Sequence, residues 1–316
     1  MRYEREILSD ERLAGALDAA KRGAYSHAYA LIADDLYTTS VAAAHLVAAI
    51  TGASPQRVNQ GGYADVHVLP VGKDKILSAD VDFITSTAYL TPTELNKKFY
   101  VLEKASTMNE SSQNKLLKTL EEAPPSVIII LEADKPSALL PTVLSRCVRV
   151  DIAPIAPDVL AEALSKHYPG REVYSAAALS GGYAGRAETI LSDENYEKDF
   201  ALAFDTLRFM KTARDILPFS RRWMERKNTL PDVLDWLAVI LSDCMSAAEG
   251  AVTRIRLKSE IQDIKQLSRE YGISSARIIP YVFEAKKNLS RNCNAQAQID
   301  GLLFKILEVK TKCLKS

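Results

Sequence analysis

The run SVIIILEA, from Ser126 to Ala133, constrains the fold more than any other stretch of the sequence. Its centre is five aliphatic residues without interruption, and four of them are β-branched. A run this short and this apolar is typical of a strand that is buried on both faces of a parallel sheet. Since parallel strands need crossover connections, we expect helices between this strand and its neighbours.

Strand-like and helix-like segments alternate over the first 152 residues. Strands are predicted at His27–Ala33, Ala64–Val71, Lys98–Ala105, Ser126–Ala133 and Val148–Ile152. Helices are predicted at residues 11–22, Val41–Ile50, Ser78–Leu90 and the segment ending in NKLLKTLEEAPP, Asn114–Pro125, with a short helical turn opened by Pro141. This alternation predicts a parallel sheet that is covered by helices on both faces.

The helix that ends in NKLLKTLEEAPP is amphipathic. Leucines fall on one of its faces at helical spacing, and Lys115 and Lys118 fall on the other. The two prolines end the helix because neither can donate the next backbone hydrogen bond. Asn109 is the predicted N-cap. Nothing in this helix is a nucleophile or a metal ligand, so its lysines are candidates only for contacts with an anion.

The pattern changes after Ile152, where strands give way to helices. We predict three domains, at residues 1–152, 153–205 and 206–316. The chain has 40 Lys/Arg and 40 Asp/Glu, but residues 206–316 carry 20 basic and 12 acidic side chains, and the first 205 residues carry the opposite excess. Such a split indicates different partners for the two parts. The basic part could contact nucleic-acid phosphates, or it could be a solvated surface.

Several classes of protein are disfavoured by the sequence. The four cysteines, Cys147, Cys244, Cys293 and Cys313, form no CxxC pair, so neither a zinc site nor a disulfide framework is expected. His45 has no second ligand at helical spacing, and we predict no metal. No apolar run is long enough to cross a bilayer, and the charged N-terminus lacks a signal core. A cytoplasmic location without membrane contact is therefore expected.

The connection after the first predicted strand argues against a nucleotide site. A P-loop needs glycines that let backbone N–H groups surround a phosphate, and a lysine that neutralises it. The corresponding residues are ADDLYTTS, Ala33–Ser40, which contain neither, and Asp34 and Asp35 would repel phosphate. The third strand ends in Glu103-Lys104, where an ATPase needs two acidic residues. We therefore expect no ATP hydrolysis and no bound cofactor.

The block from Lys97 to Cys147 resembles the AAA+ subunits of the bacterial clamp loader, the delta-prime and gamma/tau subunits of DNA polymerase III. The shorter matches are HAY at 27–29, LLPT..SRC and GG..GRA, and Asn288–Leu307 is similar to the last helices of the family's collar. The resemblance spans nearly the whole chain. It implies a P-loop-type AAA+ core at 1–152, a small helical lid at 153–205 and a helical collar at 206–316.

Within this family the delta-prime type fits best, because gamma/tau subunits keep a working P-loop and delta-prime subunits can lack ATP binding. The resemblance has one gap. Both subunits usually carry a four-cysteine zinc module, whereas the matching interval, TGASPQRVNQGGY, contains no cysteine. This departure agrees with the expectation that the chain binds no metal.

The resemblance also implies roles for individual residues. Arg146 would be an arginine finger that reaches the ATP of a neighbouring subunit, with Ser145 and Cys147 shaping its turn. The alternative is an arginine paired with a local carboxylate such as Asp151. Arg186 matches the family's nucleotide-sensing lid arginine, and it is expected to have only a structural or interface role here. Glu103 is expected to be vestigial or structural.

Two further positions depend on the resemblance. Glu132 replaces the small polar residue with which active members sense phosphate. Lys115 and Lys118 match a region that faces DNA inside the ring, with a solvated surface as the alternative.

The expected function is that of a stator in the clamp loader, without catalytic activity of its own. The implied partners are the gamma/tau and delta subunits, the sliding clamp (beta) through the complex, and primer–template DNA through the ring. Two alternatives stay open. The chain could be an active ATPase of the gamma/tau type, or a stand-alone DNA-binding protein built on its basic C-terminal part.

Overall fold

The computed structural model describes residues 1–169, 173–291 and 293–313, and the chain divides into two compact units. Unit 1 consists of Met1–Leu160 and Tyr183–Arg186, and unit 2 of Ala161–Gly182 and Ala187–Ser316. The predicted three-domain division, with boundaries near 153 and 206, stays a prediction. Residues 170–172 of the predicted lid, and 292 and 314–316 of the predicted collar, lie outside the described residues.

Unit 1 contains a sheet of five parallel strands. They are β1 (Ala28–Ile32), β2 (Val66–Leu69), β3 (Lys98–Leu102), β4 (Val127–Ala133) and β5 (Val148–Asp151), in the order β2-β3-β4-β1-β5. All four neighbouring pairs are parallel. The predicted central strand therefore lies at the middle of the sheet. All seven residues of β4 are buried, which explains why its sequence is apolar on both faces.

Helices connect the strands and continue beyond them. In the N-terminal part they are α1 (Glu4–Leu8), α2 (Glu11–Lys21), α3 (Leu36–Thr51), α4 (Pro55–Asn59), α5 (Ser78–Thr87), α6 (Glu110–Glu122) and α7 (Pro141–Leu144). They are followed by α8 (Pro157–Ser165), α9 (Val173–Leu179), α10 (Ala184–Ser192), α11 (Tyr196–Phe209), α12 (Ala213–Glu225), α13 (Leu230–Ala248), α14 (Ile261–Glu270), α15 (Ser275–Ser290) and α16 (Ala295–Cys313). The predicted class, a parallel α/β sheet followed by helices, is confirmed.

The core of unit 1 packs one face of the sheet against α5, α6 and α7. Its members include Ile84 of α5, Leu116 and Leu120 of α6, and Val143 of α7, all of them fully or almost fully buried. The leucine face of α6, predicted from helical spacing, is therefore the face that is buried. The side chain of Asn109 accepts a hydrogen bond from the Ser112 N–H at 2.8 Å, so this predicted N-cap is confirmed.

The described part of unit 2 is helical, and it packs around large aromatic side chains. Trp223 of α12, Trp236 of α13 and Tyr271 after α14 are almost completely buried. The Trp223 indole N–H donates to Thr206 Oγ1 at 2.9 Å, and the Tyr271 hydroxyl donates to the Leu207 carbonyl at 2.9 Å. Both polar atoms in the core therefore have partners, as burial requires.

In the described residues, no helix is both long enough and apolar enough to cross a membrane.

Candidate functional site

The turn between β1 and α3 occupies the position where a P-loop protein holds phosphate. β1 ends at Ile32 and α3 begins at Leu36, so only three residues connect them. Asp35 is the N-cap of α3, and its Oδ1 accepts hydrogen bonds from the N–H groups of Tyr37 at 2.6 Å and Thr38 at 3.4 Å. The first backbone donors of the helix are therefore bound to a carboxylate of the chain itself.

Asp34 and Asp35 meet the segment Tyr183–Arg186, which belongs to unit 1. Arg186 Nη1 donates to Asp34 Oδ2 at 2.7 Å, and the Gly185 N–H donates to Asp35 Oδ2 at 2.9 Å. Arg186 thus forms an ion pair with Asp34, the first of the two aspartates in the turn.

Two acidic residues, Glu103 and Glu132, lie at the carboxyl ends of the neighbouring strands β3 and β4. Glu103 comes directly after β3, and burial raises the pKa of its carboxyl group, although the charge of Lys104 acts in the opposite direction. Lys104 has a left-handed backbone conformation, with φ of 53°, and its Nζ lies 3.2 Å from Asp74 Oδ1. The lysine beside Glu103 is therefore directed to a different carboxylate.

Glu132, the penultimate residue of β4, is the most perturbed carboxyl group of unit 1. Its side chain is 1% exposed, and its Oε2 lies 2.8 Å from Thr39 Oγ1 and 3.1 Å from Ser40 Oγ, both on α3. Burial, together with the nearby Glu103 charge, raises the pKa of Glu132 to about 8, although hydrogen bonds from the two hydroxyl groups act to lower it. A buried carboxyl group with a raised pKa thus lies where active members of the resembling family are expected to carry a small polar residue that senses phosphate.

Arg146 lies on a turn that is anchored in the core of unit 1. Cys147 packs against the core, and burial raises the pKa of its thiol to about 11. The Arg146 guanidinium donates from Nη1 to the Thr142 carbonyl at 2.8 Å, and it forms an ion pair with Glu121 of α6. Its side chain remains 35% exposed, so part of the guanidinium is accessible from outside the chain.

The carboxylate partner of Arg146 is therefore Glu121, at the end of the helix NKLLKTLEE. Asp151, which was the local partner considered from the sequence, binds Arg149 instead, at 2.6 Å and 3.0 Å. This correction follows from strand geometry, because Arg149 and Asp151 are two residues apart on β5 and project from the same face. Ser145 also contributes to the turn, since its hydroxyl donates to the Thr142 carbonyl at 3.1 Å.

The two lysines of α6 differ in their surroundings. Lys115 forms an ion pair with Asp82 of α5 and donates to Ser78 Oγ at 3.3 Å, whereas Lys118 is exposed. The histidine of the HAY motif supports the same helix, because His27 Nε2 lies 2.8 Å from the Leu120 carbonyl oxygen. DNA contact by Lys115 and Lys118 stays a prediction, and Lys115 would have to leave Asp82 to make it.

Among the described residues, neither His27 nor His45 belongs to a group that could bind a metal ion. His45 Nε2 lies 3.0 Å from Glu4 Oε1, and burial lowers the pKa of its imidazole although Glu4 acts to raise it. Among the described side chains, no three His, Cys, Asp or Glu residues are grouped so that they could hold a metal ion.

Sequence reasoning missed four residues of this region. Thr39 and Ser40 bind Glu132, Glu121 binds Arg146, and Gly185 binds Asp35. The pairs Thr39–Glu132 and Asp35–Gly185 join residues 93 and 150 positions apart. A single sequence gives no signal for such distant pairs. The N-cap role of Asp35, in contrast, had a local signal, because Asp before a helical pattern is a favoured cap.

Comparison with known proteins gives these residues a family context. Residues 12–156 match the family model described as DNA polymerase III, delta subunit. Over 259 residues, the chain is 24% identical to DNA polymerase III subunit delta' of Bacillus subtilis, covering 80% of this chain and 79% of that protein. It is 30% identical over 191 residues to the delta' subunit of Pseudomonas aeruginosa, covering 57% of this chain and 56% of that protein.

The chain is thus similar to delta-prime proteins of the AAA+ clamp-loader family, and the resemblance inferred from its motifs is confirmed. Among solved structures, it aligns with a gamma subunit-related protein of DNA polymerase III from Thermotoga maritima. That alignment has a TM-score of 0.46 and 17% identity, and it covers 93% of this chain and 99% of the other.

Proposed function

We propose that this chain is an ATP-inert stator subunit of a clamp loader. In this role it assembles with gamma/tau-type and delta-type subunits and helps to load a sliding clamp onto primer–template DNA. It supplies Arg146 to ATP bound by a neighbouring subunit and has no ATPase activity of its own. The similarity to delta-prime proteins supports the class of complex, and the two arguments that follow support the division of labour.

The β1–α3 turn carries the proposal that the chain is inert. Three residues cannot wrap around a phosphate, and two of them are aspartates. The carboxylate of Asp35, which is 7% exposed, already accepts the N–H groups that a phosphate would need. A triphosphate placed here would meet like charge and find its backbone donors occupied, so binding would be strongly unfavourable.

Arg146 supports the proposal that the chain acts on a neighbour. A guanidinium is always charged and can donate two parallel hydrogen bonds to phosphate oxygens. Arg146 is fixed at its base by the partly buried Cys147 and by the Thr142 carbonyl, yet its side chain is partly exposed. Glu121 holds the guanidinium in the isolated chain, and a phosphate would compete for it with a greater negative charge.

The decisive experiment is steady-state phosphate release by reconstituted rings with clamp and primed DNA. Arg146→Ala should assemble normally and lower the ATPase rate, because one site loses its finger. In GTPases an arginine finger contributes on the order of 10³- to 10⁵-fold to the rate. In a ring with several sites only that site's share of the turnover should disappear. Arg146→Lys should rescue poorly, since an ammonium group cannot donate in the same fork.

Two matched variants separate a finger from an arginine that only pairs with its own chain. Arg149→Ala removes another exposed arginine three positions away, and it should leave the ring's ATPase rate unchanged. Glu121→Gln removes the local partner of Arg146 while keeping the guanidinium, so activity should be retained. If Arg146→Ala rings assemble and hydrolyse ATP at the wild-type rate, Arg146 is not a finger.

A further inference from the structure

Hydrogen bonds and an ion pair join the β1–α3 turn to the segment Tyr183–Arg186, and no ligand is needed to form them. We call this contact the fastening. One carboxylate, that of Asp35, joins two parts of unit 1 that are 150 residues apart in sequence. Its Oδ1 accepts from the start of α3, and its Oδ2 accepts from Thr38 Oγ1 at 3.0 Å and from the Gly185 N–H at 2.9 Å. Since Asp35 is almost fully buried, water cannot readily replace these donors.

Gly185 makes this approach possible because it has no side chain. A Cβ at this position would lie 2.5 Å from Asp35 Oδ1 and 2.6 Å from Tyr37 Cβ. Both distances are far below ordinary contact, and the atoms they involve are held by the N-cap of α3. Any other residue at 185 would therefore push the segment away from the turn.

Arg186 adds a second, weaker connection. Its guanidinium lies 2.7 Å from Asp34 Oδ2, but both side chains are about half exposed. Solvent screening makes such a pair worth little on its own. The partner of Arg186 is nevertheless informative. Its guanidinium pairs with a carboxylate of the chain itself, and this carboxylate lies in the turn that would have to receive a phosphate.

We propose that Asp34 and Asp35 fasten Gly185 and Arg186 to the β1–α3 turn in every state of the protein, without a nucleotide. The two carboxylates supply the negative charge and the acceptor atoms that a bound phosphate would otherwise bring to these donors. This inference rests on the proposed absence of ATP binding by the chain, and it adds that the segment 183–186 has no nucleotide-dependent open state.

Hydrogen exchange of the full chain, followed by mass spectrometry on peptides that contain residues 183–186, tests the proposal. In the wild type this segment should be protected equally with and without Mg-ATP. Asp35→Asn keeps one oxygen for the helix cap but turns the other acceptor into an NH₂ group facing the Gly185 N–H. We expect exchange at 183–186 to become faster by roughly 10- to 100-fold, the range for loss of a hydrogen bond to a charged group.

Asp10→Asn is the matched control. Asp10 caps α2 through Oδ1, at 2.8 Å from the Leu13 N–H, and its Oδ2 accepts from the distant Ala153 N–H at 3.1 Å. The same substitution there should open the segment around Ala153 and leave residues 183–186 protected. If both variants accelerate exchange at 183–186 equally, the effect is general destabilisation and the fastening is refuted.

A second variant keeps the test valid if Asp35→Asn fails to fold. Gly185→Ala leaves the cap of α3 chemically intact and should accelerate exchange at 183–186, whereas Gly15→Ala, where a Cβ meets nothing within 4 Å, should not. Unchanged exchange at 183–186 in Gly185→Ala would overturn the proposal. If instead Mg-ATP alters the protection of these residues in the wild type, the chain binds nucleotide and the proposed function fails first.

Discussion

Glu132 offers the sharpest physical test of the region beside the β1–α3 turn, because its carboxyl group is buried and its pKa is raised to about 8. The perturbation is Glu132→Gln, which keeps the shape and an acceptor oxygen for Thr39 and Ser40 but cannot ionise. Thr39 Oγ1 lies 2.8 Å from Glu132 Oε2 and 3.0 Å from the Leu36 carbonyl oxygen. Thr39 Oγ1 and Ser40 Oγ both donate toward Glu132 Oε2, so a Gln carbonyl oxygen in the same place can accept from them.

The expected magnitude follows from the difference between the folded and unfolded states. Burial raises the pKa of Glu132 from its ordinary value of 4.5 to about 8. Between these two values the unfolded chain releases the proton and the folded chain keeps it, so the free energy of unfolding falls as pH rises. At about 1.4 kcal/mol per pH unit, the loss is about 3 kcal/mol at pH 7 and about 5 kcal/mol well above pH 8.

Glu132→Gln should remove this loss, so its opening free energy should exceed that of the wild type by an amount that grows between pH 5 and 8. Both tryptophans, Trp223 and Trp236, lie in unit 2, so the readout must be hydrogen exchange at β1 and β4 after correction for intrinsic rates. Glu122→Gln, an exposed carboxylate of α6, is the control and should follow the wild type. Parallel pH profiles for Glu132→Gln and the wild type would refute the reasoning.

Two further predictions concern the ligand state of unit 1 and the packing of unit 2. Isothermal titration of the pure chain with millimolar Mg-ATP should give no binding heat, and micromolar binding would contradict the stator proposal. Lys310→Met should destabilise unit 2 by about 3 kcal/mol, because the buried Lys310 ammonium pairs with Glu270 at 2.7 Å and donates to the Leu207 and Met210 carbonyls. Tryptophan-monitored urea unfolding measures this loss, and Lys305→Met, on the exposed face of α16, should not reproduce it.

The sheet could be predicted from the sequence because local patterns determine it. β4 is a continuous apolar run because both faces are covered, and Asn109 caps α6 through a bond that spans only three residues. Boundaries were less accurate. The helix predicted from Val41 begins at Leu36, because Asp35 caps it and the helix includes the polar residues before Val41. The helix predicted to Leu90 ends at Thr87.

The contacts of the candidate site could not be predicted in the same way. The sequence predicts Arg146 on a short turn opened by Pro141, but its partner Glu121 lies 25 positions earlier, on a helix packed beside that turn. Glu132 was expected in a buried strand, yet the hydroxyls that surround it come from α3. Both contacts depend on how the helices pack against the sheet. A single sequence shows which residues are present but not which of them lie close together.

Four carboxylates lie around the carboxyl ends of β1, β3 and β4, where an ATPase receives the negative charge of its ligand: Asp34, Asp35, Glu103 and Glu132. The chain already compensates three of them. Arg186 pairs with Asp34, the start of α3 and the Gly185 N–H satisfy Asp35, and a proton neutralises Glu132. A lysine introduced into this turn would therefore pair with these carboxylates and would not be available to bind a phosphate. Under the proposed function, no single substitution would create an ATP site, because the charge, the missing glycines and the short connection would all have to change together.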